Sequence, residues 1–183
     1  SGEPLFKRGY RQMAGIAPLN ELLAAGILLY SQWDKTMPLL DPMCGSGTIP
    51  IEAAMIANNI PPNFYRKSFA FQNWRTFDYD LRKQIRNAVT FSKTPQKTMI
   101  LGYDKQAEMI DVAKTNAENA KVDKYIQFEQ HDFFDIDSSI ENGMIVFNPP
   151  YNKRIKLEDS KQYYQLLGRH LKFKFQGNAV CIF

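Results

Sequence analysis

The sequence predicts an α/β fold with a mostly parallel, doubly wound sheet. Short apolar runs alternate along the chain with segments of helical composition and spacing. Strands and helices that alternate in this way favour parallel strands with helices on both faces of the sheet. The length of 183 residues, 44% of them hydrophobic, allows one domain with a substantial core.

The elements are predicted in order from hydrophobic spacing and from start and stop signals. A first helix spans 17–33, where Pro18 suits the first turn and the leucines and alanines favour helix. The predicted strands are 37–41, 98–104, 125–130, 143–148 and 178–183. The helices between them are predicted at 48–58, 106–120 and 160–173. We therefore expect an N-terminal segment at 1–36 and the main domain at 37–183.

Composition excludes several classes of protein. No apolar run approaches the roughly 20 residues that span a bilayer, and the N-terminus is polar, so we expect no membrane span and a cytoplasmic location. The two cysteines and two histidines lack ligand-like spacing, so no metal site or disulfide framework is expected. The chain begins with Ser1 and stops inside a predicted strand, so we expect a longer protein with both flanks missing.

An insertion at 58–97 has a net charge of +6, whereas the other residues together sum to −2. It contains eight Lys or Arg residues against Asp78 and Asp80, and eight aromatic residues. Cations interleaved with aromatic rings suit looped or single-stranded RNA, because phosphates attract charge and unstacked bases need flat surfaces. The alternative is an amphipathic insertion that packs its rings on the core and leaves its cations in solvent.

Acidic residues and glycines occupy the predicted strand ends, where ligands bind in doubly wound sheets. The first strand leads into DPMCGSGT, residues 41–48. Gly45 and Gly47 allow a tight turn before a helix N-terminus. The third glycine of a dinucleotide fingerprint and the G-K-[ST] of a P-loop are both absent. Asp41 ahead of the turn favours a ligand that carries an amine or another cation.

The next two strand ends also carry carboxylates. Asp104 ends the second strand, where a carboxylate can accept hydrogen bonds from both hydroxyls of a ribose. Asp132 follows the third strand and could accept from an adenine amino group, with Phe133 or Phe134 packed on the ring. Each aspartate alone would more often be a loop carboxylate or a helix cap.

The fourth strand ends in FNPPYNKR, residues 147–154. Two prolines cannot donate to a strand ladder, so the strand must stop at Asn148. The rigid turn would aim two hydrogen-bond acceptors, the Asn148 side chain and the Pro149 carbonyl, while Tyr151 presents an aromatic face. Lys153 and Arg154 would then lie near phosphates, or would simply belong to a solvated loop.

These motifs resemble a known family. DPMCGSGT, GYD, HDFF and NPPY are similar to motifs of class I methyltransferases, which use S-adenosylmethionine. KRGYR, APLNELLAAGILL, FAFQNW and FNPPYNKRI resemble the bacterial 23S ribosomal RNA guanine-N2-methyltransferase family, whose full-length members carry an upstream RNA-binding THUMP domain. The chain departs from that pattern at 152–154, where Asn-Lys-Arg replaces Gly-Glu-Arg.

The resemblance implies a Rossmann-like fold truncated at both ends and a role for each motif. Asn148, Pro149, Pro150 and Tyr151 would form the catalytic turn. The residues implied at the cofactor are Asp41, Cys44, Gly45, Gly47, Asp104, Asp132, Phe133, Arg11 and Leu19. Within the class, a transfer RNA guanine-N2 enzyme, an adenine-N6 nucleic-acid enzyme and a protein glutamine methyltransferase stay open. A different class is a non-catalytic module that binds the cofactor and RNA during ribosome assembly.

Overall fold

A computed structural model describes residues 4–11, 19–89, 98–137, 140–150 and 157–183. Tyr151 and the cations Lys153 and Arg154 that follow it lie outside the described residues. The helices are α1 (Glu21–Tyr30), α2 (Thr48–Ala57), α3 (Tyr79–Ala88), α4 (Ala107–Asn119) and α5 (Leu157–Lys174). The strands are β1 (Leu39–Asp41), β2 (Ile100–Asp104), β3 (Gln127–Gln130), β4 (Met144–Phe147) and β5 (Ala179–Ile182).

The five strands form one parallel sheet in the order β3-β2-β1-β4-β5. The chain moves outward from β1 through β2 to β3, then returns to place β4 on the other side of β1. The two halves of the sheet therefore diverge between β1 and β4. Ligands bind above the carboxyl ends of the strands at such a point. The predicted α/β fold with a doubly wound parallel sheet is confirmed.

Successive side chains of the strands belong alternately to two separate hydrophobic clusters. Leu39 of β1 and Val146 of β4 belong to a cluster that also contains the buried faces of α1, α2 and α4. Their neighbours Leu40 and Phe147 belong to a second cluster, which contains Leu167 of α5. Because successive strand residues point to opposite faces, these memberships show that helices cover both faces of the sheet.

The sequence located each of the five strands and four of the five helices in the described residues. The observed elements are shorter by up to four residues at some ends, and α5 instead begins three residues earlier. The missed element is α3, inside the insertion. Its residues Leu81 and Ile85 have the helical spacing of an amphipathic segment, but both side chains are exposed, so this face does not pack on the core. Asp78 starts this helix by accepting from the Leu81 amide at 2.9 Å.

The N-terminal segment is attached to α2 by a buried polar network. Nε and Nη2 of Arg8 each lie 3.4 Å from a carboxylate oxygen of Glu52. The Tyr10 hydroxyl donates to Glu52 Oε1 at 3.1 Å. Burial raises the pKa of Glu52, and Arg8 opposes that shift. The network thus supplies the partner that a carboxylate needs inside a protein.

Among the described residues, no helix combines the length and the apolar character required to cross a membrane.

We predict that Arg8→Met destabilises the protein by about 3 kcal/mol, because it leaves the buried Glu52 carboxylate without its cation. Urea denaturation followed by circular dichroism measures the change. Arg169→Met, at an exposed position on α5, is the matched control and should stay within about 0.5 kcal/mol of the parent. The double variant Arg8→Met with Glu52→Gln should recover more than half of the loss. A single variant as stable as the parent would show that the network contributes little.

Candidate active site

The glycine turn after β1 forms the floor of the site. Gly45 and Gly47 have φ values of +52° and +80°, in the left-handed region that favours glycine. The Gly47 amide donates to the Cys44 carbonyl at 2.9 Å, which closes the turn. A Cβ atom on Gly47 would lie 2.9 Å from Cβ of Ala113. The absence of a side chain there lets α4 pack against the turn, and the free amides at the start of α2 face the carboxyl ends of the strands.

Asp104, at the end of β2, holds the glycine turn in place. One carboxylate oxygen accepts from the Gly45 amide at 2.9 Å and the other from the Gln106 amide at 3.0 Å. Each oxygen keeps a further lone pair for a ligand. The side chain is half-buried, so it can still accept from hydroxyl groups, as predicted for a ribose.

Asp41, the last residue of β1, is a fully buried carboxylate, 1% exposed. Its Oδ1 accepts from the Met43 amide at 3.1 Å. Burial raises the pKa of Asp41 well above its ordinary value, the Met43 amide opposes this shift, and the nearby Asp104 adds to it. None of the ion pairs among the described residues involves Asp41. A ligand ammonium group would supply the missing positive charge, which fits the amine end of the expected methyl donor.

The Cys44 thiol stays protonated in this setting. Burial raises the pKa of Cys44 well above its ordinary value, and the carboxylates of Asp41 and Asp104 raise it further. The structural contribution of Cys44 is its backbone, because its amide donates to the Tyr103 carbonyl at 2.7 Å. This bond ties the turn after β1 to β2.

The third strand end carries two phenylalanines, of which the resemblance implies Phe133 at the cofactor. Asp132 is half-buried, and its Oδ1 accepts from the Phe134 amide at 3.0 Å. Phe133 is 3% exposed, in the core between β4 and α5. Phe134 is 38% exposed and touches the Tyr163 ring edge-on, with centroids 5.8 Å apart. Phe134 is thus the ring that a ligand can reach, while the Phe133 side chain is taken up by packing.

The fourth strand end borders a cleft. β4 ends at Phe147, one residue before Asn148, in agreement with the predicted proline stop. Asn148 is half-buried and Pro149 is buried. The cleft has a volume of about 350 Å³ and is lined by Leu19, Leu23, Asn148, Pro149, Tyr164 and Phe183. The walls are mostly apolar, with the Asn148 amide among the few polar groups, a lining typical of a site for a flat organic ring.

Arg11 connects this cleft to the glycine turn. Its Nη2 donates to the Leu19 carbonyl at 2.6 Å and to Thr48 Oγ1 at 2.7 Å. Its Nε lies 3.8 Å from the Glu21 carboxylate. Leu19 lines the cleft beside Asn148, and Thr48 is the first residue of α2. Arg11 thereby fixes the start of α1 against the start of α2; the resemblance implies that Arg11 and Leu19 both face the cofactor.

Sequence reasoning missed three residues that line the cleft: Leu23, Tyr164 and Phe183. Tyr164 lies on α5, and its hydroxyl is 3.5 Å from the Pro150 carbonyl. No motif marks it, because its place depends on how α5 packs against the sheet. The predicted Tyr151 lies outside the described residues. The carboxyl ends of the strands carry the predicted residues Asp41, Cys44, Gly45, Gly47, Asp104, Asp132, Asn148, Pro149 and Pro150. Arg11 and Leu19 lie beside them, whereas the Phe133 side chain is in the core.

Comparisons with known proteins agree with this geometry. The family model described as UPF0020, RMKL-like, methyltransferase domain, matches residues 8–183. The ribosomal RNA large subunit methyltransferase K/L of Psychromonas ingrahamii is 40% identical over 190 residues, which cover 100% of this chain and 25% of that protein. The chain therefore spans about a quarter of the length of this relative.

Two solved structures share the fold closely. The SMU.472 protein in its complex with SAH has a TM-score of 0.87 and 34% identity, and the match covers 97% of this chain and 46% of that one. A protein of Listeria monocytogenes, described as a predicted N6-adenine-specific DNA methylase, has a TM-score of 0.86 and 36% identity, covering 97% and 47%. The resemblance found in the sequence is confirmed at the level of the family.

We predict that Gly47→Ala destabilises the protein by about 2–4 kcal/mol, because it combines a left-handed backbone with overpacking against Ala113. Gly45→Ala is the matched control, since its φ is also positive but no atom lies within 4 Å of the added Cβ. It should cost only about 1–2 kcal/mol. Chemical denaturation measures both variants, and equal losses would show that close packing at Gly47 is unimportant.

We predict that Asp41→Asn stabilises the ligand-free protein by about 1–3 kcal/mol at pH 7, because the parent must bury an ion or bind a proton there. The amide oxygen retains the bond from Met43. Since folding raises the pKa of Asp41, the parent loses stability as pH rises above the unfolded value of about 3.9. The gain should therefore vanish below pH 4. Thermal melts from pH 3 to 8 test this, and a destabilised variant at pH 7 would contradict it.

Proposed function

The chain belongs to the RMKL-like methyltransferase domain family, and from this we propose that it transfers a methyl group from S-adenosylmethionine to the exocyclic N2 amine of a guanine in 23S ribosomal RNA. The observation that carries the proposal is the cleft beside Asn148 and Pro149, next to the divergence point between β1 and β4. The RNA substrate is supported by the large-subunit ribosomal RNA methyltransferases that this chain resembles.

The glycine turn and the three aspartates would hold the methyl donor. Asp41 would face the ammonium group, Asp104 the ribose hydroxyls and Asp132 the adenine amine. This arrangement is supported by the buried carboxyl group of Asp41, which forms no ion pair among the described residues, and by the free lone pairs of Asp104. The match to a structure in complex with SAH, the demethylated product, supports the same donor. When bound, the donor would supply the methyl group from its sulfonium centre, and the leaving group would be a neutral thioether.

Asn148 and Pro149 would orient the acceptor amine. The lone pair of a guanine N2 amine is delocalised into the ring, so the amine is a poor nucleophile until it pyramidalises. The side-chain oxygen of Asn148 and the carbonyl of Pro149 would each accept one amine hydrogen and turn the lone pair toward the methyl group. With the amine so oriented by Asn148 and Pro149, nitrogen would bond to the methyl carbon while the carbon–sulfur electron pair stays on sulfur, and an amine proton would leave to water afterwards. Catalysis is mainly orientation and electrostatics.

The cleft would receive a base that has left its helix, since an amine inside a paired stem is out of reach. Tyr151 would stack on this base, and Leu19, Leu23 and Tyr164 would enclose it. Pro150 would keep the turn rigid and offer its carbonyl to Tyr164. Arg11 would act as a positioning residue between the two reactants, through its bonds to Leu19 and Thr48.

The proposal extends to the whole protein. A THUMP domain would bind the RNA elsewhere, and the rRNA substrate implies action in the cytoplasm. The fact that this chain spans only a quarter of a relative's length is in keeping with further domains. The Listeria protein described as an adenine-specific DNA methylase marks adenine as the second candidate base, so the test must identify the methylated nucleoside.

We predict that Asn148→Ala lowers kcat for methylation of 23S ribosomal RNA at least about a hundredfold, because the amine loses an orienting acceptor. Affinity for S-adenosylhomocysteine, measured by isothermal titration, should stay within twofold. Gln165→Ala, which removes an exposed amide on α5, is the control and should be as active as the parent. Nucleoside digestion with mass spectrometry identifies the product.

Different outcomes separate the alternatives. N2-methylguanosine from ribosomal RNA supports the proposal, whereas N6-methyladenine or labelled transfer RNA would replace the substrate but keep the chemistry. Full activity in Asn148→Ala would overturn the orientation mechanism. A folded parent protein that binds the cofactor but methylates nothing would favour the non-catalytic module.

A further inference from the structure

The aromatic residues of the insertion have different structural roles. Phe64 and Tyr65 pack against the main hydrophobic core. The rings of Phe69, Phe71 and Phe77 contact one another, with centroids 5.1–5.6 Å apart. These five rings explain how the insertion folds, as the amphipathic interpretation expects.

Trp74 and Tyr79 flank this ring cluster and are each 68% exposed. Trp74 touches Phe71 and Tyr79 touches Phe77, both edge-on, at centroid distances of 6.4 and 4.6 Å. Each ring contacts one neighbour but leaves most of its apolar surface in water, which is energetically unfavourable. Two such rings in one insertion mark a surface for a ligand with flat faces.

The cations of the insertion fall into two groups, those that contact the insertion itself and those that are exposed to solvent. The buried Arg66 donates to the carbonyls of Ser68 and Pro4 at 2.9 and 2.8 Å. The Arg82 guanidinium lies 5.5 Å from the Phe69 ring, and that of Arg86 lies 5.0 Å from the Phe64 ring. These three cations hold the insertion together through carbonyls and aromatic faces. Lys67, Arg75 and Lys83 remain exposed.

A pocket of about 290 Å³ lies beside Tyr79. It is lined by Arg66, Ser68, Phe69, Ala70, Gln72, Asn73 and Tyr79. Its volume is close to the lower limit for small-molecule sites, about 300 Å³, so it suits one flat ring system. Gln72 Oε1 accepts from the Phe69 amide at 2.6 Å, which orients its NH₂ group as a donor for a ligand. The pocket thus combines aromatic faces with hydrogen-bonding edges.

This pocket is remote from the candidate active site. α2 begins at the glycine turn and ends at Ala57, and its ten residues separate its two ends by about 15 Å. The insertion follows that far end directly. Lys121, just past the end of α4, lies 5.1 Å from the Tyr65 ring, which places the insertion beside the far end of α4 as well. The pocket and the cleft share no lining residue, so a ligand here would be distinct from the base that accepts the methyl group.

We propose that Trp74 and the pocket beside Tyr79 form a second nucleotide-binding site, which takes an unstacked base of single-stranded or looped RNA. The inference rests on the proposed function for the identity of RNA as the substrate. Trp74 and Tyr79 supply stacking faces, Gln72 and Asn73 supply polar groups for a base edge, and the exposed cations attract phosphates. The described part of the insertion has six cations against Asp78 and Asp80, and Asp78 is occupied as a helix cap. This charge favours RNA over an apolar protein partner.

The test is binding of a fluorescent, purine-free single-stranded RNA of about ten nucleotides, measured by anisotropy without cofactor at fixed salt. Trp74→Ala and Tyr79→Ala should each weaken binding at least about fivefold, the lower end for one base–aromatic stack. Trp74→Phe and Tyr79→Phe should retain most of the affinity. Tyr30→Ala is the matched control, because Tyr30 on α1 is 89% exposed and should be neutral. Thermal melts by circular dichroism verify folding.

The outcomes are decisive because the probe contains neither guanine nor adenine, the two candidate acceptor bases, and no methyl donor is present. Unchanged affinity in both alanine variants overturns the second site, as does an equal loss in Tyr30→Ala. If a duplex of the same sequence binds as tightly as the single strand, and the variants weaken both equally, the proposal that the site takes an unstacked base is overturned. If the alanine variants melt at a lower temperature than the parent, the phenylalanine variants decide. A loss of RNA affinity as large as that of the alanine variants, at the parent's melting temperature, would overturn the role of stacking. Failure of the methylation assay would leave these results standing.

Discussion

A hydrogen bond from the Gly45 amide to the Asp104 carboxylate joins the loops after β1 and β2, and the site depends on it. The glycine turn has a left-handed backbone and few regular hydrogen bonds of its own, so its neighbours must hold it. The Cys44 amide reaches the Tyr103 carbonyl, and the Asn116 side chain donates to the Ser46 carbonyl at 3.1 Å. β2 and α4 therefore shape the turn before any ligand arrives. Such preorganisation keeps the turn's free amides directed at the site.

Buried polar contacts extend this frame from the sheet to the N-terminal segment. Glu52 of α2 accepts hydrogen bonds from Arg8 and Tyr10, and Thr48 of α2 accepts one from Arg11. Arg11 also holds the carbonyl of Leu19, a wall of the cleft beside Asn148. If this segment moved, the glycine turn and the cleft would therefore both be disturbed. The physical reason is that a guanidinium offers several donors in one plane, so a single side chain can fix two backbone elements at once.

The proposed RNA contacts lie at opposite ends of α2. An enzyme that extrudes a base must give up stacking and pairing energy, and contacts elsewhere on the RNA can offset that cost. The pocket beside Tyr79 is suited to this use because it is separate from the cleft and holds no part of the transfer machinery. In the described part of the insertion, aromatic packing and guanidinium contacts stabilise a segment that lacks a large core of its own.

The sequence by itself determined the α/β class, the strand ends and the family, because these follow from short-range patterns. Hydrophobic periodicity marks strands and helices, and glycines, prolines and carboxylates mark the turns between them. Only the tertiary structure decided which of Phe133 and Phe134 is exposed and that Leu19 and Tyr164 meet Asn148 at one cleft. It also decided which aromatic rings of the insertion are packed and which are exposed. Each of these depends on contacts between residues far apart in the chain, or on which face of an element is covered. Local sequence does not encode such contacts separately from the fold as a whole.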